Sequence, residues 1–160
     1  MTRPDYASEL VDRVAILDLY ARYVHALDDH DWDALDDLFV PETTMDWTSS
    51  GHIRGEYARD VRPEYERNAG LFFLDIHYCT NIRIDFDPGL QSASVKSKTL
   101  NVAGMRTPEG EAKMAQVHGE YSDKLEKRDG EWKIVDRYWH HQGVTLGAQL
   151  AEGTGGMLGN

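Results

Sequence analysis

The sequence of 160 residues is poor in cysteine and in basic residues, and it has no long apolar run. Its single cysteine, Cys79, excludes an intrachain disulfide and a metal site built from cysteines alone. The formal net charge of −11 argues against nucleic acids and anionic membrane surfaces as partners. No segment has the roughly 18 apolar residues of a membrane span, and the N-terminal residues lack the apolar core of a signal peptide. We therefore expect a cytoplasmic protein.

Several motifs that carry metal, cofactor or nucleophile chemistry are also missing. There is no H-E-x-x-H, no C-x-x-C, no G-x-S-x-G elbow and no phosphate-binding loop. His140 and His141 are adjacent on a predicted strand, so their side chains point to opposite faces and cannot easily share an ion. The glycines near the C-terminus do not link a strand to a helix, as a dinucleotide site requires. The sequence therefore predicts neither a metal nor a cofactor.

The order of apolar spacings and turn residues predicts one α+β domain over residues 1–160. Helices are expected over about residues 8–29, 31–39 and 56–70, and β-rich runs over 77–86, 92–104, 113–128 and 131–144. The turn signals DPG, TPEG and RDGE separate the β-rich runs, which is typical of hairpins. We expect an antiparallel sheet curved around the N-terminal helices, with a pocket between them. A glycine-rich tail from about residue 146 is expected to be mobile or held by a partner.

An aspartate continues the apolar pattern of the first helix. Apolar residues recur at helical spacing at Leu10, Val14, Leu17, Ala21 and Val24. Four residues after Val24, the same pattern reaches Asp28. A carboxylate beside a core is costly unless it is paired and hydrogen-bonded. Asp28 is therefore either solvated at the helix end, where it caps the next turn, or paired with a partner elsewhere in the chain.

His77 is the partner that the sequence offers. It opens a β-rich run in which strict alternation places five residues on its own side, counting His77: His77, Cys79, Asn81, Arg83 and Asp85. A histidine at this position is either a structural surface residue or a catalyst. If the sheet wraps around the first helix, Asp28 can accept a hydrogen bond from the imidazole, fix its tautomer and stabilise the imidazolium. Such a pair is a general base.

Three stretches of the chain resemble a known family: AILDLYARYVHALDDHDWDALDDLF, IHYCTNIRI and GEYSDKLEKRDGEWKIVDR. They are similar to the SnoaL-like branch of the NTF2-like superfamily, and within it to the group of hexachlorocyclohexane dehydrochlorinase, scytalone dehydratase and bile-acid dehydratase. The resemblance runs from about Val14 to Arg137. It implies an α+β cone fold in which Asp28 and His77 form the catalytic pair.

The resemblance implies further catalytic residues. Tyr23 lies five residues before Asp28, where the bile-acid dehydratases have a tyrosine, and Arg137 matches a catalytic arginine of the dehydrochlorinases. Both are predicted to assist departure of the leaving group. A surface position on a hairpin strand is the structural alternative for Arg137.

Four more residues are predicted to bind substrate. Trp47 matches a pocket aromatic of the family, Tyr121 is expected in the core or the pocket, and Asn81 shares a predicted strand face with His77. Scytalone dehydratases have a second histidine in the sheet, and His118 is the candidate for this position. His118 and Tyr121 lie on opposite faces of their strand, however, so both can line one cavity only if a bulge intervenes.

The predicted function is a cofactor-independent lyase, of dehydratase or dehydrohalogenase type, that acts on a small apolar cyclic substrate. The alternatives are an isomerase or cyclase for a steroid- or polyketide-like ring, and a non-catalytic protein that binds ligands or serves assembly, like the small subunits of aromatic-ring dioxygenases. Self-association is also expected, because alternation places apolar residues on the strand face opposite His77: Tyr78, Ile82, Ile84 and Phe86. The resemblance favours a trimer, and the wider superfamily also offers dimers.

Overall fold

The computed structural model describes residues 6–147, which form an N-terminal helical part followed by a sheet. The helices are α1 (Tyr6–Asp28), α2 (Trp32–Asp36) and α3 (Arg62–Asn68). The strands are β1 (Phe39–Asp46), β2 (Arg54–Glu56), β3 (Phe72–Phe86), β4 (Ser92–Arg106), β5 (Ala112–Arg128) and β6 (Glu131–Leu146). The predicted α+β class is confirmed. The predicted tail lies outside the described residues beyond Gly147.

Helix α1 forms where it was predicted, but its predicted buried face is wrong. Leu10, Val14 and Leu17 are 60%, 57% and 46% exposed. The face turned toward the sheet is a different one: Ile16, Leu19, Tyr20, Tyr23, Ala26 and Leu27. Tyrosines point inward here because their rings bury a large apolar area and their hydroxyls find buried partners. Asp28 follows Leu27 and lies at the edge of this true buried face.

Helix α2 begins near its predicted start, whereas α3 begins at Arg62, later than the predicted start near residue 56. The carboxylate of Asp31 accepts a hydrogen bond from the backbone N–H of Ala34 at 3.1 Å, which caps α2. A π-helical turn over Tyr57–Val61 precedes α3, and Pro63 lies in the first turn of α3, where its missing N–H costs no helical hydrogen bond. The helix type therefore changes one residue before the turn of α3 that contains Pro63.

The described strands form one sheet in the order β2-β1-β6-β5-β4-β3. Strands β3 to β6 are a meander of three hairpins, and the turn between β5 and β6 has positive φ at Asp129 (54°) and Gly130 (88°), as a two-residue hairpin turn requires. The expected sheet was antiparallel throughout, whereas β1 runs parallel to β6. The parallel pair arises because β1 precedes the meander and joins it beside its last strand.

A β-bulge divides β3 into two halves. The pairing with β4 shifts between Thr80 and Arg83, and Asn81 in this interval has φ of 52°. Before the bulge, Asp75, His77 and Cys79 face the helices; after it, the inward residues are Ile82, Ile84 and Phe86. The strict alternation assumed from the sequence is therefore wrong beyond Cys79, and only Tyr78 of the four expected outer apolar residues is exposed.

The hydrophobic core lies between the helices and the inner face of the sheet. It joins α1 side chains such as Ile16 and Leu19 to Val95 on β4, Leu125 on β5 and Ile134 on β6, all of them nearly inaccessible to solvent. This core fills the end of the sheet beyond the β3 bulge, whereas the cavity described next is lined by Asp75 and His77, which precede the bulge.

Candidate active site

A cavity of about 600 Å³ lies between the helices and the sheet, within the size range of small-molecule sites. Most of its wall is aromatic or aliphatic, and the aromatic rings come from Tyr23, Trp32, Trp47, Tyr65, Phe72, Tyr121 and Trp139. Polar side chains enter the wall at several points, among them His30, Asp75, His77 and Asn101. A mainly apolar wall with a few polar groups is typical of a site that binds and orients a small organic molecule.

Asp28 and His77 are in direct contact. Oδ1 of Asp28 lies 2.7 Å from Nδ1 of His77, and the backbone N–H of His77 donates to the same carboxylate at 3.1 Å and 3.3 Å. The contact arises because α1 ends beside the first half of β3. The geometric part of the prediction is therefore confirmed: the two residues lie within hydrogen-bond reach of one another.

The two members of this pair occupy different positions relative to the cavity. His77 lines the cavity wall, whereas Asp28 contacts the ring from the side and is not among the lining residues. With the Asp28 carboxylate accepting a hydrogen bond from Nδ1–H, the free lone pair of a neutral imidazole is on Nε2. The arrangement suits a base whose second nitrogen is held by a carboxylate.

Tyr23 on α1 and Tyr121 on β5 form a second polar group in the wall. Their hydroxyl oxygens lie 3.2 Å apart, and both side chains are buried. Burial raises the pKa of each phenol, the neighbouring Tyr121 raises that of Tyr23 further, and the opposing effect of Arg137 is smaller. Both hydroxyls therefore remain protonated and act as hydrogen-bond donors and acceptors.

Arg137 lies behind these tyrosines and is fully buried. Its guanidinium forms a bidentate ion pair with Asp123 (2.9 Å and 2.7 Å) and stacks against the rings of Tyr23 and Tyr121, at 4.3 Å and 4.0 Å from their centroids. Burial alone lowers the pKa of Arg137, but the Asp123 carboxylate and the neighbouring Tyr23 and Tyr121 together raise the pKa overall. The hydroxyl of Tyr20 also donates to Asp123.

The predicted contact of Arg137 with substrate is wrong, because its side chain is not among the residues lining the cavity. The pairing with Asp123 draws the guanidinium into the core, and the two tyrosines separate it from the cavity. Within residues 6–147, its Nη1 has no hydrogen-bond partner. The surface alternative for Arg137 is wrong as well.

Asn81 and His118 are also misplaced by the sequence prediction. Asn81 is exposed at the β3 bulge, which turns it away from the face that carries His77. His118 lies on the face of β5 opposite Tyr121, and its Nε2 lies 3.4 Å from the hydroxyl of Thr145. Neither residue lines the cavity. Trp47 and Tyr121 do line it, as the prediction for pocket residues required.

Sequence reasoning missed several wall residues. Asn101 lies directly opposite His77 in the β3–β4 pairing, whereas the hairpin turn at residues 87–91 alone would place Val102 there, because the β3 bulge shifts the register by one residue. Trp139 reaches the cavity because Gly119 leaves room for it: a Cβ at Gly119 would lie 2.1 Å from the indole nitrogen. Asp75 precedes His77 by two residues, so period-two alternation alone places both on one face.

Other chemistries find little support. Among residues 6–147, no group of three or more His, Cys, Asp or Glu side chains is arranged to hold a metal ion. Burial raises the pKa of Cys79 to about 11, so this thiol stays protonated and is a poor nucleophile. No helix in the described part of the chain is long and apolar enough to cross a membrane.

Three solved structures illustrate what the fold resembles. A proposed scytalone dehydratase from Novosphingobium aromaticivorans has a TM-score of 0.76 at 24% identity, covering 87% of this chain and 89% of that one. A proposed aromatic ring hydroxylase from the same species has 0.74 at 22% identity, covering 91% and 96%. The hexachlorocyclohexane dehydrochlorinase LinA-type3 from Novosphingobium barchaimii has 0.66 at 20% identity, covering 90% and 93%. These likenesses show an NTF2-like fold.

Comparison by sequence is consistent with this fold. A family model described as a SnoaL-like domain matches residues 8–138, from α1 to β6. No curated protein sequence matches the chain.

Proposed function

This chain belongs to the SnoaL-like domain family, and we propose that it is a cofactor-independent lyase acting on a small apolar cyclic substrate. In this proposal His77 removes a proton from the carbon next to the one that bears the leaving group. Asp28 orients the imidazole and stabilises its charged form. The observation that carries the proposal is the 2.7 Å contact between Asp28 and a histidine that lines the cavity.

The geometry at His77 favours proton abstraction through Nε2. Asp28 holds Nδ1–H, so the basic lone pair belongs to the nitrogen that is free to meet a substrate. When Nε2 takes a proton, the ring becomes an imidazolium beside a carboxylate, and the new charge is compensated at once. General base catalysis of this kind contributes about 10²–10⁴-fold to the rate, so other groups must supply the remaining acceleration.

The tyrosine pair is suited to stabilise negative charge on a substrate oxygen. Proton abstraction next to a carbonyl places charge on the carbonyl oxygen, and the protonated hydroxyls of Tyr23 and Tyr121 line the cavity as donors. Arg137, stacked behind both rings and paired with Asp123, holds the two tyrosines in place. Arg137 is in this view a positioning residue that acts through the tyrosines.

The cavity wall supports a ring-shaped apolar substrate. Seven aromatic residues line the wall, and aromatic walls favour flat or cyclic apolar molecules by stacking and edge-to-face contact. The relatives named above act on different compounds, so the fold itself does not select among halogenated, steroid, terpenoid and polyketide rings.

The two alternative functions differ in how they use His77. An isomerase or cyclase would use the same base but return the proton to another carbon of the substrate. A non-catalytic ligand-binding or assembly protein would have no need of a histidine in the cavity wall, and His77 does line the cavity. The position of His77 therefore favours the enzymatic functions.

The test is turnover of a panel of hydroxylated and halogenated cyclic compounds by the wild type and by His77→Ala. We expect elimination products with the wild type and a loss of about 10²–10⁴-fold for His77→Ala. His118→Ala is the matched control, since His118 is a sheet histidine outside the cavity, and it should retain wild-type activity.

A chelator should leave the rate unchanged if no metal participates. Near-normal turnover by His77→Ala on a compound that the wild type converts would contradict the proposed base. Failure of the wild type to convert any member of the panel, while a member binds in the cavity, would favour the ligand-binding alternative.

A further inference from the structure

A second carboxyl group, that of Asp75, faces the other nitrogen of the same histidine. Asp75 and His77 lie on one face of the first half of β3, and both line the cavity. Oδ1 of Asp75 is 4.0 Å from Nε2 of His77, which is too far for a hydrogen bond. The two aspartates thus differ in position. Asp28 is hydrogen-bonded to Nδ1, whereas Asp75 lies near the basic nitrogen Nε2 and lines the cavity, where it can contact the substrate.

The surroundings of Asp75 favour its neutral form. Burial raises the pKa of this carboxyl, and the negative charge of Asp28 adds to the rise, while His77 and His30 act in the opposite direction. The residue across the pairing on β4 is Ala103, which carries no charge. A protonated carboxyl in this position is a hydrogen-bond donor beside the base.

We infer that Asp75 is the general acid that protonates a departing hydroxyl group, and hence that the substrate is an alcohol such as a β-hydroxy ketone. This inference rests on the proposed lyase function and narrows it to dehydration. Nε2 of His77 takes the proton from the α-carbon, and that electron pair forms the new carbon–carbon double bond. The C–O bond breaks, its electron pair leaves with the oxygen, and the Asp75 carboxyl supplies the proton that completes a water molecule.

The same geometry allows His77 and Asp75 to return to their starting protonation states after the reaction. After the reaction His77 is an imidazolium and Asp75 a carboxylate, and their nearest atoms are 4.0 Å apart. The proton can return from Nε2 to Asp75 through the product water, so no exchange with bulk solvent is needed. Because acid and base project from one strand face, the C–H and C–O bonds that break lie on one face of the substrate.

The leaving group decides whether Asp75 is needed. Hydroxide is the conjugate base of a very weak acid, so its departure near neutral pH requires a proton in the transition state. A halide or an activated phenolate leaves as a stable anion and needs none. An ionised Asp75 would moreover repel a departing anion.

The test compares two leaving groups on one ring skeleton. The probes are cyclic β-hydroxy ketones of one to three fused rings and their 4-nitrophenyl ethers, which release 4-nitrophenolate without a proton donor. Asp75→Asn, which keeps the shape of the side chain, should lose about 10²-fold or more on the hydroxy ketone and little on the ether. Asp75→Glu should recover part of the loss, and Asp85→Asn, an exposed aspartate of the same strand, should behave as the wild type.

The outcomes separate this inference from the proposed function. Equal losses on both probes for Asp75→Asn, or no loss on either, would overturn the assignment of Asp75 while leaving the His77 base in place. Loss of both reactions in Asp75→Asn but not in His77→Ala would overturn the proposed function itself.

A second measurement needs no substrate. Carbon-13 NMR can follow the titration of aspartate carboxyl groups, with the Asp75 signal assigned by its disappearance in Asp75→Asn. We expect Asp75 to titrate above the ordinary value of 3.8. Titration at or below that value would contradict the role of Asp75 as general acid, whatever the two probe reactions show.

Discussion

Two pairs of a carboxylate with a nitrogen base lie near the cavity, and they differ in position and in chemistry. Asp123 and Arg137 are completely buried and are separated from the cavity by two tyrosines. Asp28 and His77 are partly exposed, and the histidine lines the cavity. The first pair links the two strands of one hairpin, β5 and β6, whereas the second links α1 to β3, which are farther apart in the chain.

The two pairs have different roles: Asp123 and Arg137 hold the shape of the site, whereas Asp28 and His77 can move a proton. An arginine keeps its charge at any pH a protein meets, so Arg137 stays cationic, and its pair with Asp123 serves to fix the tyrosines. An imidazole exists in a neutral and a charged form, so the pair at the cavity can accept a proton and release it again. The two pairs should therefore respond to mutation in different measurements.

Asp28→Asn should have the largest effect, and on activity alone. The amide no longer stabilises the imidazolium and favours the wrong tautomer, so turnover should fall by about 10²–10⁴-fold with little change in substrate affinity or melting temperature. Steady-state kinetics with the accepted panel compound and a thermal melt measure both quantities. Asp29→Asn, at the exposed neighbouring position, is the control. Retained turnover in Asp28→Asn would remove the pair from the mechanism.

Asp123→Asn should have the opposite effect: its main consequence should be a loss of stability. Removing one partner leaves the Arg137 charge buried and uncompensated, which costs about 3–5 kcal/mol of unfolding free energy. Urea denaturation followed by fluorescence measures the loss. The double variant Asp123→Leu with Arg137→Met removes both charges and should recover most of the stability. If Asp123→Asn is as stable as the wild type, the buried pair does not hold the tyrosines as described.

The pH dependence should differ between the two probe reactions. The rate with the 4-nitrophenyl ether should rise with pH and level off, because only the neutral His77 accepts a proton. The rate with the hydroxy ketone should also fall on the alkaline side, because Asp75 must carry a proton. Burial raises the pKa of Asp75, so the falling limb lies above the range of an ordinary aspartate. The measurement is kcat/KM from pH 4 to 10; a falling limb common to both probes would point to another group.

Changes in self-association should affect the two pairs least, because both pairs are formed within one chain. We propose a homo-oligomer, a trimer before a dimer. Exposed apolar residues of the sheet and of α1 support it: Leu10, Val11, Val14, Leu17, Phe73, Tyr78, Met105, Val144 and Leu146. Light scattering at micromolar concentration is the measurement, and a monomer there would contradict the proposal. Tyr78→Ser tests the sheet side, and Val14→Ser tests the helix side.

Much of the fold could be predicted from local chemistry. The turn residues between the long strands are specific enough to give the three hairpins, and the Asp31 cap and Pro63 mark helix starts. The direction of β1 relative to β6 could not be predicted, because it depends on which edge of the meander receives the strand. No residue pattern in β1 encodes that choice.

The candidate site was predicted in part, and partly through a wrong intermediate step. The contact of Asp28 with His77 is present, yet the apolar pattern that led to Asp28 is on the exposed side of α1. Asp28 lies one residue beyond the true buried face, so both patterns end near it. Asp75 was overlooked because a second aspartate near a strand start has no distinctive motif, and the proximity to Nε2 appears only in three dimensions.

The β3 bulge has a consequence for engineering the chain. One extra residue in the interval from Thr80 to Arg83 shifts the two halves of the strand out of phase, so that Asp75 and His77 face inward together with Ile84. Deleting Asn81 would remove the extra residue and leave Asp75, His77 and Ile84 on one face of a regularly alternating stretch, so the catalytic face should survive the deletion. If the full sequence is kept and the bulge straightens while the apolar half stays anchored in the core, the other half must turn over and expose Asp75 and His77 to solvent. A change that abolishes the bulge without shortening the strand should therefore inactivate the protein without removing any catalytic group.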